Sequence, residues 1–360
     1  MARVFNFNAG PAALPLEVLQ EIHEEWFDFG GTGESILEIS HRSKAFTKVI
    51  ETARQDVLDL LGLSDEYTAL FTSGGANLQF AQVPLNFLTP GKKAAYVLTS
   101  YFSDKALKEA KKVGDTEVIW QPEGGYHRVP RPEEIHAPGD AAYIHVTTNN
   151  TAEGTEYQNF PDTGNVPLIG DMTSDLLARP FDATKFALFY AGVQKNIGPA
   201  GTVLVVARKD FIRNRREKLP DVLDYELLYE KDSLYNTPPV FQIYAVGKVL
   251  QWLKRNGGLA AAEERNRQKS ELVYDVIDAH PAFYQGYAEK SSRSIVNAVF
   301  QLPTKELDAK FIQEAEQHSL FGLKGHRIVG GIRASLYNGV PFEAAKALAE
   351  FMEEFYRENR

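Results

Sequence analysis

Lys195 lies in the segment with the clearest capacity for chemistry, residues 189–202, which read FYAGVQKNIGPAGT. Apolar residues typical of a buried strand lead into it, and Gly192, Gly198 and Gly201 leave room for a flat cofactor close to the backbone. A lysine in such surroundings loses solvation, which lowers its pKa and favours the neutral amine. Because a neutral amine attacks aldehydes, the segment predicts a lysine that binds an aldehyde cofactor; the alternative is a surface lysine in a turn.

Asp171 follows the apolar run at residues 166–170, at the end of a predicted strand. Ligands of parallel α/β sheets bind beyond this end of the strands. A carboxylate there can pair with the protonated ring nitrogen of a pyridine cofactor, which strengthens that cofactor as an electron sink. The alternative interpretation is an aspartate that caps the following helix.

Gly74 and Gly75, in the segment TSGGAN at residues 72–77, predict a phosphate site. They follow a predicted strand and precede a predicted helix, so backbone N–H groups and the positive end of a helix dipole face one point. The spacing matches neither the Walker loop nor G-x-G-x-x-G, so neither a nucleoside triphosphate nor a dinucleotide is favoured. A plain turn before a helix is the alternative. A lysine, a carboxylate and a phosphate site together indicate pyridoxal 5'-phosphate (PLP).

Two further residues fit a flat phosphorylated cofactor. Phe102 follows another buried strand and can stack on a pyridine ring, or it can belong to the core. Thr151 lies in residues 143–154, where a strand ends in many hydroxyls and amides. Such a segment suits a cofactor hydroxyl or phosphate, but it equally suits a hydrogen-bonded loop.

Two His-Arg pairs, His41-Arg42 and His326-Arg327, and a further arginine, Arg333, are candidates for binding an acidic substrate. The guanidinium fork matches carboxylates and phosphates through two parallel hydrogen bonds. An amino-acid substrate that also carries a phosphate needs at least two such anchors. Ordinary surface arginines are the alternative for each pair.

Alternating strands and helices must position these residues. Apolar runs, several of them apolar on both faces, are typical of a mainly parallel sheet covered by helices. They predict strands at residues 67–71, 94–99, 117–120, 141–147, 167–169, 186–190 and 202–207. Helical spacing predicts helices at residues 16–28 and 46–61.

After residue 256 the pattern changes to helices and short strands of a different order. Helices are predicted at residues 260–279, 306–318 and 342–360, and strands at residues 295–301 and 332–335. We therefore expect an α/β fold with a large domain at residues 16–256. Residues 1–15 and 257–360 are expected to form a smaller α+β domain.

The composition excludes several other classes of protein. With a net charge of −9 over 360 residues and no dense basic patch, we expect no nucleic-acid partner. The chain has no cysteine, which excludes disulfides and cysteine nucleophiles, and no metal site is expected. It shows neither a signal-peptide run nor the roughly 20 apolar residues of a membrane span. We expect a soluble cytoplasmic protein.

The order and spacing of the motifs resemble the class V aminotransferases, a family of PLP-dependent enzymes of fold type I. The resemblance rests on the segments FNFNAGPAALP, SHRS, FTSGGANLQFA, VPLN, QKNIGPAG, YNTPP and KGHRIVGGIRASLYN. These segments run from residue 5 to residue 338 and so cover nearly the whole chain. The resemblance implies the PLP-dependent transferase fold type I, with a mainly parallel seven-stranded sheet in the large domain.

By position, the resemblance implies a role for each motif residue. Lys195 would bind PLP covalently and move the substrate proton, and Asp171 would bind the ring nitrogen. The other cofactor-binding residues would be Ala76, Asn77, Phe102, Thr151, Gln194, Asn236 and Thr237. Asn236 and Thr237 would reach the cofactor of a neighbouring subunit, which implies a homodimer with active sites at the interface. The substrate-binding residues would be His41, Arg42, His326, Arg327 and Arg333.

Two positions depart from the pattern of some relatives, which carry an arginine at the position of Asn77 and a tryptophan at that of Phe102. The first departure removes one possible contact to an anion. The second gives a smaller stacking surface.

The resemblance implies reversible transfer of an amino group from L-glutamate to a phosphorylated 2-oxo acid, 3-phosphohydroxypyruvate, in serine biosynthesis, and it leaves open the related step of pyridoxine biosynthesis. Rivals within PLP chemistry are an alanine–glyoxylate-type aminotransferase and a desulfurase, although a desulfurase normally needs a cysteine. A nicotinamide dehydrogenase is a third rival, against which the missing G-x-G-x-x-G argues. A non-catalytic binding protein is disfavoured because Lys195 and Asp171 are both present.

Overall fold

A computed structural model describes residues 3–360 of the chain. Its helices are α1 (Leu16–Glu24), α2 (Lys44–Leu61), α3 (Ala76–Phe87), α4 (Tyr101–Ala110), α5 (Lys209–Arg213), α6 (Tyr225–Glu230), α7 (Val240–Arg255), α8 (Gly258–Ala279), α9 (Lys305–Gln317) and α10 (Phe342–Asn359). Its strands are β1 (Phe5–Asn6), β2 (Tyr67–Ser73), β3 (Ala94–Val97), β4 (Thr116–Trp120), β5 (Tyr143–Thr147), β6 (Asn149–Asn150), β7 (Thr155–Glu156), β8 (Leu168–Asp171), β9 (Leu188–Gly192), β10 (Thr202–Arg208), β11 (Gln285–Gly286), β12 (Asn297–Gln301), β13 (Leu320–Phe321) and β14 (Ile332–Ser335).

The central sheet has seven strands in the order β2-β10-β9-β8-β5-β3-β4. Only β10 runs against its neighbours, β2 and β9, and the other pairings are parallel. The seven strands predicted from apolar runs are these seven, and their ends differ by at most two residues. The prediction of an α/β fold with a mainly parallel seven-stranded sheet is therefore confirmed.

Both faces of this sheet are buried. Along β10, Val203 and Val205 face one hydrophobic cluster, whereas Leu204 and Val206 face another. Helices α2 and α7 supply side chains to the second cluster, and α3 and α4 supply side chains to the first. Because side chains alternate along a strand, a strand covered on both sides has no polar face. This explains the unbroken apolar runs in the sequence.

A second sheet of three strands, β11-β12-β14, packs with α8, α9 and α10 around a separate hydrophobic cluster. The N-terminal segment joins that cluster through Phe7 and Ala13, while β1 pairs with β13. Helix α8 serves both cores, since Leu259 packs in the large cluster and Val273 in the small one. The division at residues 15/16 and 256/257 stays a prediction.

The first helix is shorter than the predicted range of residues 16–28 and ends at Glu24. The chain then turns and enters a short 3-10 segment at Phe29–Gly31, where Gly30 has a φ of 58°. Trp26, which continues the apolar spacing, packs edge-on against Phe241 from this turn at a centroid distance of 5.7 Å. The apolar spacing therefore predicted correctly that Trp26 packs against the core, although the helix ends before it.

Over residues 3–360, no helix combines the length and apolar character needed to cross a membrane. The same residues contain no group of three or more His, Cys, Asp or Glu side chains that could hold a metal ion.

Candidate active site

A cleft of about 310 Å³ opens where the parallel strands of the central sheet end. Asp171 is the last residue of β8 and pairs in register with Thr147, the last residue of β5. The loop between β9 and β10 carries Lys195, and the turn after β2 leads into α3. The cleft therefore lies at the sheet edge that parallel α/β folds use for ligands.

Lys195 is partly buried within this cleft. Its ammonium donates a hydrogen bond to the hydroxyl of Thr151, and it lies 5.1 Å from the centroid of the Phe102 ring. Burial lowers the pKa of Lys195 to about 8, against the opposing effect of the Asp171 carboxylate and together with the Arg333 guanidinium. A substantial fraction of the amine is thus neutral near neutral pH, as a nucleophile requires.

Asp171 is 4% exposed, and its carboxylate is held by Thr173. The backbone N–H of Thr173 donates to Oδ1 at 3.0 Å, and the Thr173 hydroxyl donates to the same oxygen. In turn the Thr173 hydroxyl accepts the N–H of Gly192 at 3.2 Å, which ties the carboxylate to the end of β9. Burial raises the pKa of Asp171, while the Thr173 bonds and Lys195 oppose that rise.

Helix α3 points its N-terminus at the cleft. Its cap residue, Gly75, offers no side chain to bond the first N–H groups, and Ala76 and Asn77 line the cleft. Gly74 has a φ of 103°, a conformation that favours glycine, so the turn from β2 depends on it. The free N–H groups and the helix dipole form a site for an anion.

Aromatic rings form one wall of the cleft. Phe102, on the first turn of α4, lies 6.0 Å from the His326 ring, and Tyr101 lies 5.2 Å from it. Burial, followed by the charges of Arg333 and Arg327, lowers the pKa of His326. Burial and the cationic neighbours thus both favour the neutral form of the imidazole.

Arg333, on β14, brings a second cation into the cleft. Its Nη1 donates to the Thr151 carbonyl at 3.4 Å, and its Nε is buried without a hydrogen-bond partner among residues 3–360. Burial lowers the pKa of Arg333. A guanidinium with unused donors in a closed site is ready to bind an anion.

The structure brings together nine of the residues predicted from the sequence: Ala76, Asn77, Phe102, Thr151, Asp171, Gln194, Lys195, His326 and Arg333. The other five lie outside the cleft of this single chain: His41, Arg42, Asn236, Thr237 and Arg327. Four of those five are exposed, and His41 is half-buried.

Sequence reasoning missed several residues that line the same cleft: Gly10, Thr147, Asn149, Thr173 and Ser174. Signals were available for three of them, because Thr147 and Asn149 lie in the polar segment at residues 143–154 and Thr173 follows Asp171. The spacing Asp171-Met-Thr173 is that of a side chain bonding two residues ahead, as in an Asx turn. Gly10 had no such signal, because it reaches the cleft from the N-terminal segment.

Three residues that line the cleft keep a buried polar atom without a partner among residues 3–360: Thr147 Oγ1, Asn149 Oδ1 and Arg333 Nε. Buried polar groups are normally hydrogen-bonded, so this cleft is built for a polar ligand. PLP fits the residues present, since it offers a phosphate for α3, a ring nitrogen for Asp171 and an aldehyde for Lys195.

Comparison with known proteins identifies the family of this chain. Residues 4–348 match the family model of the class-V aminotransferases. The phosphoserine aminotransferase of Niallia circulans is 49% identical over 356 residues, which is 99% of this chain and 98% of that protein. The chain therefore belongs to the class-V aminotransferases, PLP-dependent enzymes, and within them to the phosphoserine aminotransferase family.

Solved structures agree with this assignment. Phosphoserine aminotransferase from Bacillus circulans subsp. alkalophilus superposes with a TM-score of 0.98 at 48% identity, covering 99% of each chain. PLP-bound phosphoserine aminotransferase from Trichomonas vaginalis superposes with a TM-score of 0.92 at 36% identity, covering 98% of this chain and 100% of that one.

Proposed function

We propose that this chain, with PLP, reversibly transfers the amino group of L-glutamate to 3-phosphohydroxypyruvate, giving 2-oxoglutarate and O-phospho-L-serine in serine biosynthesis. The observation that carries the proposal is the Lys195 amine, whose pKa is lowered to about 8, in one cleft with Asp171, Phe102 and Arg333. The family of phosphoserine aminotransferases, to which the chain belongs, supports the choice of substrates.

The chain's own residues divide the work of holding the cofactor. Ala76 and Asn77 would hold its phosphate at the start of α3, Gln194 and Thr151 would contact its hydroxyl and phosphate region, and Phe102 would stack on its ring. When bound, PLP acts as an electron sink that makes the proton on the substrate Cα acidic. Asp171, held by Thr173, strengthens that sink by keeping the ring nitrogen protonated.

Lys195 moves the proton. Its amine would take the proton from the substrate Cα and deliver it to C4′, the carbon of the cofactor's aldehyde group, which requires a neutral base within hydrogen-bond reach. Arg333 binds the substrate α-carboxylate and so orients Cα toward Lys195.

Homodimerisation would complete the site. His41, Arg42, Asn236 and Thr237 do not line the cleft of their own chain, and all but His41 are exposed. We propose that they act across the interface: Asn236 and Thr237 on the partner's cofactor phosphate, and His41 and Arg42 on the distal acidic group of either substrate. Arg327, beside His326, adds to that distal site.

One pocket must accept both a carboxylate and a phosphate, and arginine binds each through the same fork. A shared arginine pocket of this kind supports glutamate as the donor rather than alanine, because alanine has no distal acidic group. It also leaves room for a related phosphorylated 2-oxo acid, so we propose the step of pyridoxine biosynthesis as a second reaction. We propose a cytoplasmic location, because phosphorylated substrates of this kind are membrane-impermeant.

Borohydride trapping tests the assignment of Lys195. Reduction of the PLP-loaded protein followed by peptide mapping should place the pyridoxyl group on Lys195. The chain offers a matched control in Lys269, which is 2% exposed and has a pKa lowered to about 7 by burial. Its ammonium donates instead to the carbonyls of Leu336, Tyr337 and Val340. A tag on Lys269, or on neither lysine, would overturn the proposal.

Spectra and donor assays test the substrates. O-phospho-L-serine and L-glutamate should each change the visible spectrum of the loaded protein, whereas L-alanine at the same concentration should not. A response to alanine alone would favour an alanine-type aminotransferase. A protein without a PLP absorption band would favour the dehydrogenase alternative.

A further inference from the structure

Glu153 is a buried acid beside the cleft that the proposed mechanism does not use. It lies two residues after Thr151, and it is 1% exposed. Its Oε1 accepts the backbone N–H of Tyr101 at 2.9 Å. Its Oε2 is buried and has no hydrogen-bond partner among residues 3–360. Burial of a carboxylate with one unpaired oxygen lowers the stability of the fold, so we expect this group to serve a function.

The contact with Tyr101 places Glu153 at the start of α4, where Tyr101 is the first helical residue. Phe102 follows, with its ring centroid 5.1 Å from the Lys195 ammonium. A carboxylate that accepts an N–H at a helix N-terminus stabilises that end of the helix. Glu153 therefore holds the turn of α4 that carries the aromatic wall.

Glu153 interacts electrostatically with titratable groups from five parts of the chain: Asp104 and Lys195 shift its pKa, whereas Glu153 raises the pKa of the other three. The five groups are Asp104 on α4, Lys195 on the β9–β10 loop, Tyr126 after β4, Tyr287 before β12 and Arg333 on β14. Burial raises the pKa of Glu153 to about 7, while the Tyr101 bond and Lys195 oppose the rise. The carboxylate in turn raises the pKa of Lys195. Both groups therefore titrate in the same pH range, and each alters the other.

We propose that Glu153 is a positioning residue: it fixes the start of α4, and with it Phe102, through the bond from the Tyr101 N–H, and its negative charge acts on the Lys195 ammonium. The inference rests on the proposed function only in taking Lys195 as the amine that binds PLP. A charged Glu153 favours the ammonium form of Lys195, and removal of that charge favours the neutral amine. Glu153 thus links the charge of the lysine to the placement of the ring that flanks it.

Trace acetylation of the full chain freed of PLP tests the electrostatic part. Reactivity of Lys195 with acetic anhydride is followed from pH 6 to 10 by peptide mass spectrometry. In Glu153→Gln the amide oxygen still accepts from Tyr101, but the charge is gone. The midpoint of Lys195 reactivity should fall by about half to one pH unit, because a nearby negative charge no longer favours the ammonium.

Asp104→Asn is the matched control, because it removes a carboxylate of α4 that acts on Glu153 but is not among the groups that shift the pKa of Lys195. In Asp104→Asn the pH midpoint of Lys195 acetylation should stay within about 0.2 pH units of the value for the unmodified chain. Lys269 serves as an internal control lysine, whose midpoint should not move in either variant. An unchanged midpoint in Glu153→Gln, or an equal shift in Asp104→Asn, would overturn the proposal.

Hydrogen exchange tests the positioning part. Glu153→Ala removes both the charge and the acceptor, so the Tyr101 amide should exchange at least tenfold faster than in Glu153→Gln. Equal exchange in the two variants would refute the anchoring of α4.

The unmodified chain provides a test that does not depend on the folding of a variant. Its Tyr101 amide, which donates to the buried Glu153 carboxylate, should be protected from hydrogen exchange, and exchange at the rate of an unprotected amide would contradict the proposal. Failure of borohydride trapping at Lys195 would refute the proposed function. The acetylation and exchange results would still test the role of Glu153, because they use the chain without PLP.

Discussion

Replacing Arg333 by methionine should abolish most of the affinity for the substrate α-carboxylate. A guanidinium carries five N–H donors. In Arg333, Nη1 makes one long bond, of 3.4 Å, to the Thr151 carbonyl, and Nε is buried without a partner among residues 3–360. The side chain is thus held in the cleft by packing rather than by an ion pair, and its fork is free for the substrate.

The expected magnitude follows from the bonds that are lost. A hydrogen bond to a charged group contributes about 1.5–3 kcal/mol, so a bidentate pair contributes about 3–6 kcal/mol. Arg333→Met should therefore weaken substrate binding by roughly two to four orders of magnitude. Arg333→Lys keeps the charge but loses the planar fork, and its loss should be about one to two orders of magnitude.

The assay is the half-reaction of the PLP-loaded protein with one amino acid, followed by its absorption spectrum. L-glutamate and O-phospho-L-serine should lose affinity by the same factor, because both present the same α-carboxylate. Arg357→Met, at the exposed end of α10, is the control and should change the dissociation constant of neither amino acid. A loss confined to one substrate, or smaller than about fivefold for both, would refute the role of Arg333 as the α-carboxylate anchor.

Three further outcomes are expected. Arg42→Ala should raise the apparent Michaelis constants for both substrates, and more for the substrate with a dianionic phosphate than for glutamate with its distal carboxylate. Unchanged kinetics would show that Arg42 does not belong to the site. With the pKa of Lys195 near 8, the neutral fraction rises with pH, so PLP uptake by the PLP-free chain should accelerate about fivefold from pH 7 to pH 8, and a flat profile would contradict the lowered pKa. Arg179→Met should lower the free energy of urea unfolding by about 3–5 kcal/mol, since it strands the buried Glu156 that Arg179 pairs with at 2.7 Å; Lys112→Met, in a surface pair, should cost less than about 1 kcal/mol.

The strands of the central sheet were predictable because a strand buried on both faces appears in the sequence as an unbroken apolar run, as β10 does. Their order in the sheet was not predictable from the residues, since it depends on which strand edges meet after the helices have crossed. The antiparallel insertion of β10 between β2 and β9 shows this limit. No local pattern in the segment 202–208 distinguishes a parallel from an antiparallel neighbour.

Nine predicted site residues converge because they sit in motifs, at strand ends or helix starts, where position along the chain determines position in the fold. Glu153 escaped notice for the opposite reason. A glutamate in the loop segment TAEG looks solvent-exposed, whereas in the fold it is buried and accepts the N–H of Tyr101 at the start of α4. The environment that shifts its pKa is assembled from distant segments and leaves no trace in the local sequence.

The pairing of Phe5 with Leu320 imposes an order on synthesis. Phe5 and Asn6 are synthesised long before their partner strand, β13, leaves the ribosome. Until then Phe7, which becomes fully buried in the small core, has no apolar neighbours to cover it. The large sheet, built entirely from residues 67–208, can form before that moment. Closure of the cleft by the Gly10 segment is therefore among the last events of folding, and premature termination before residue 320 should yield a chain with a formed sheet but an open site.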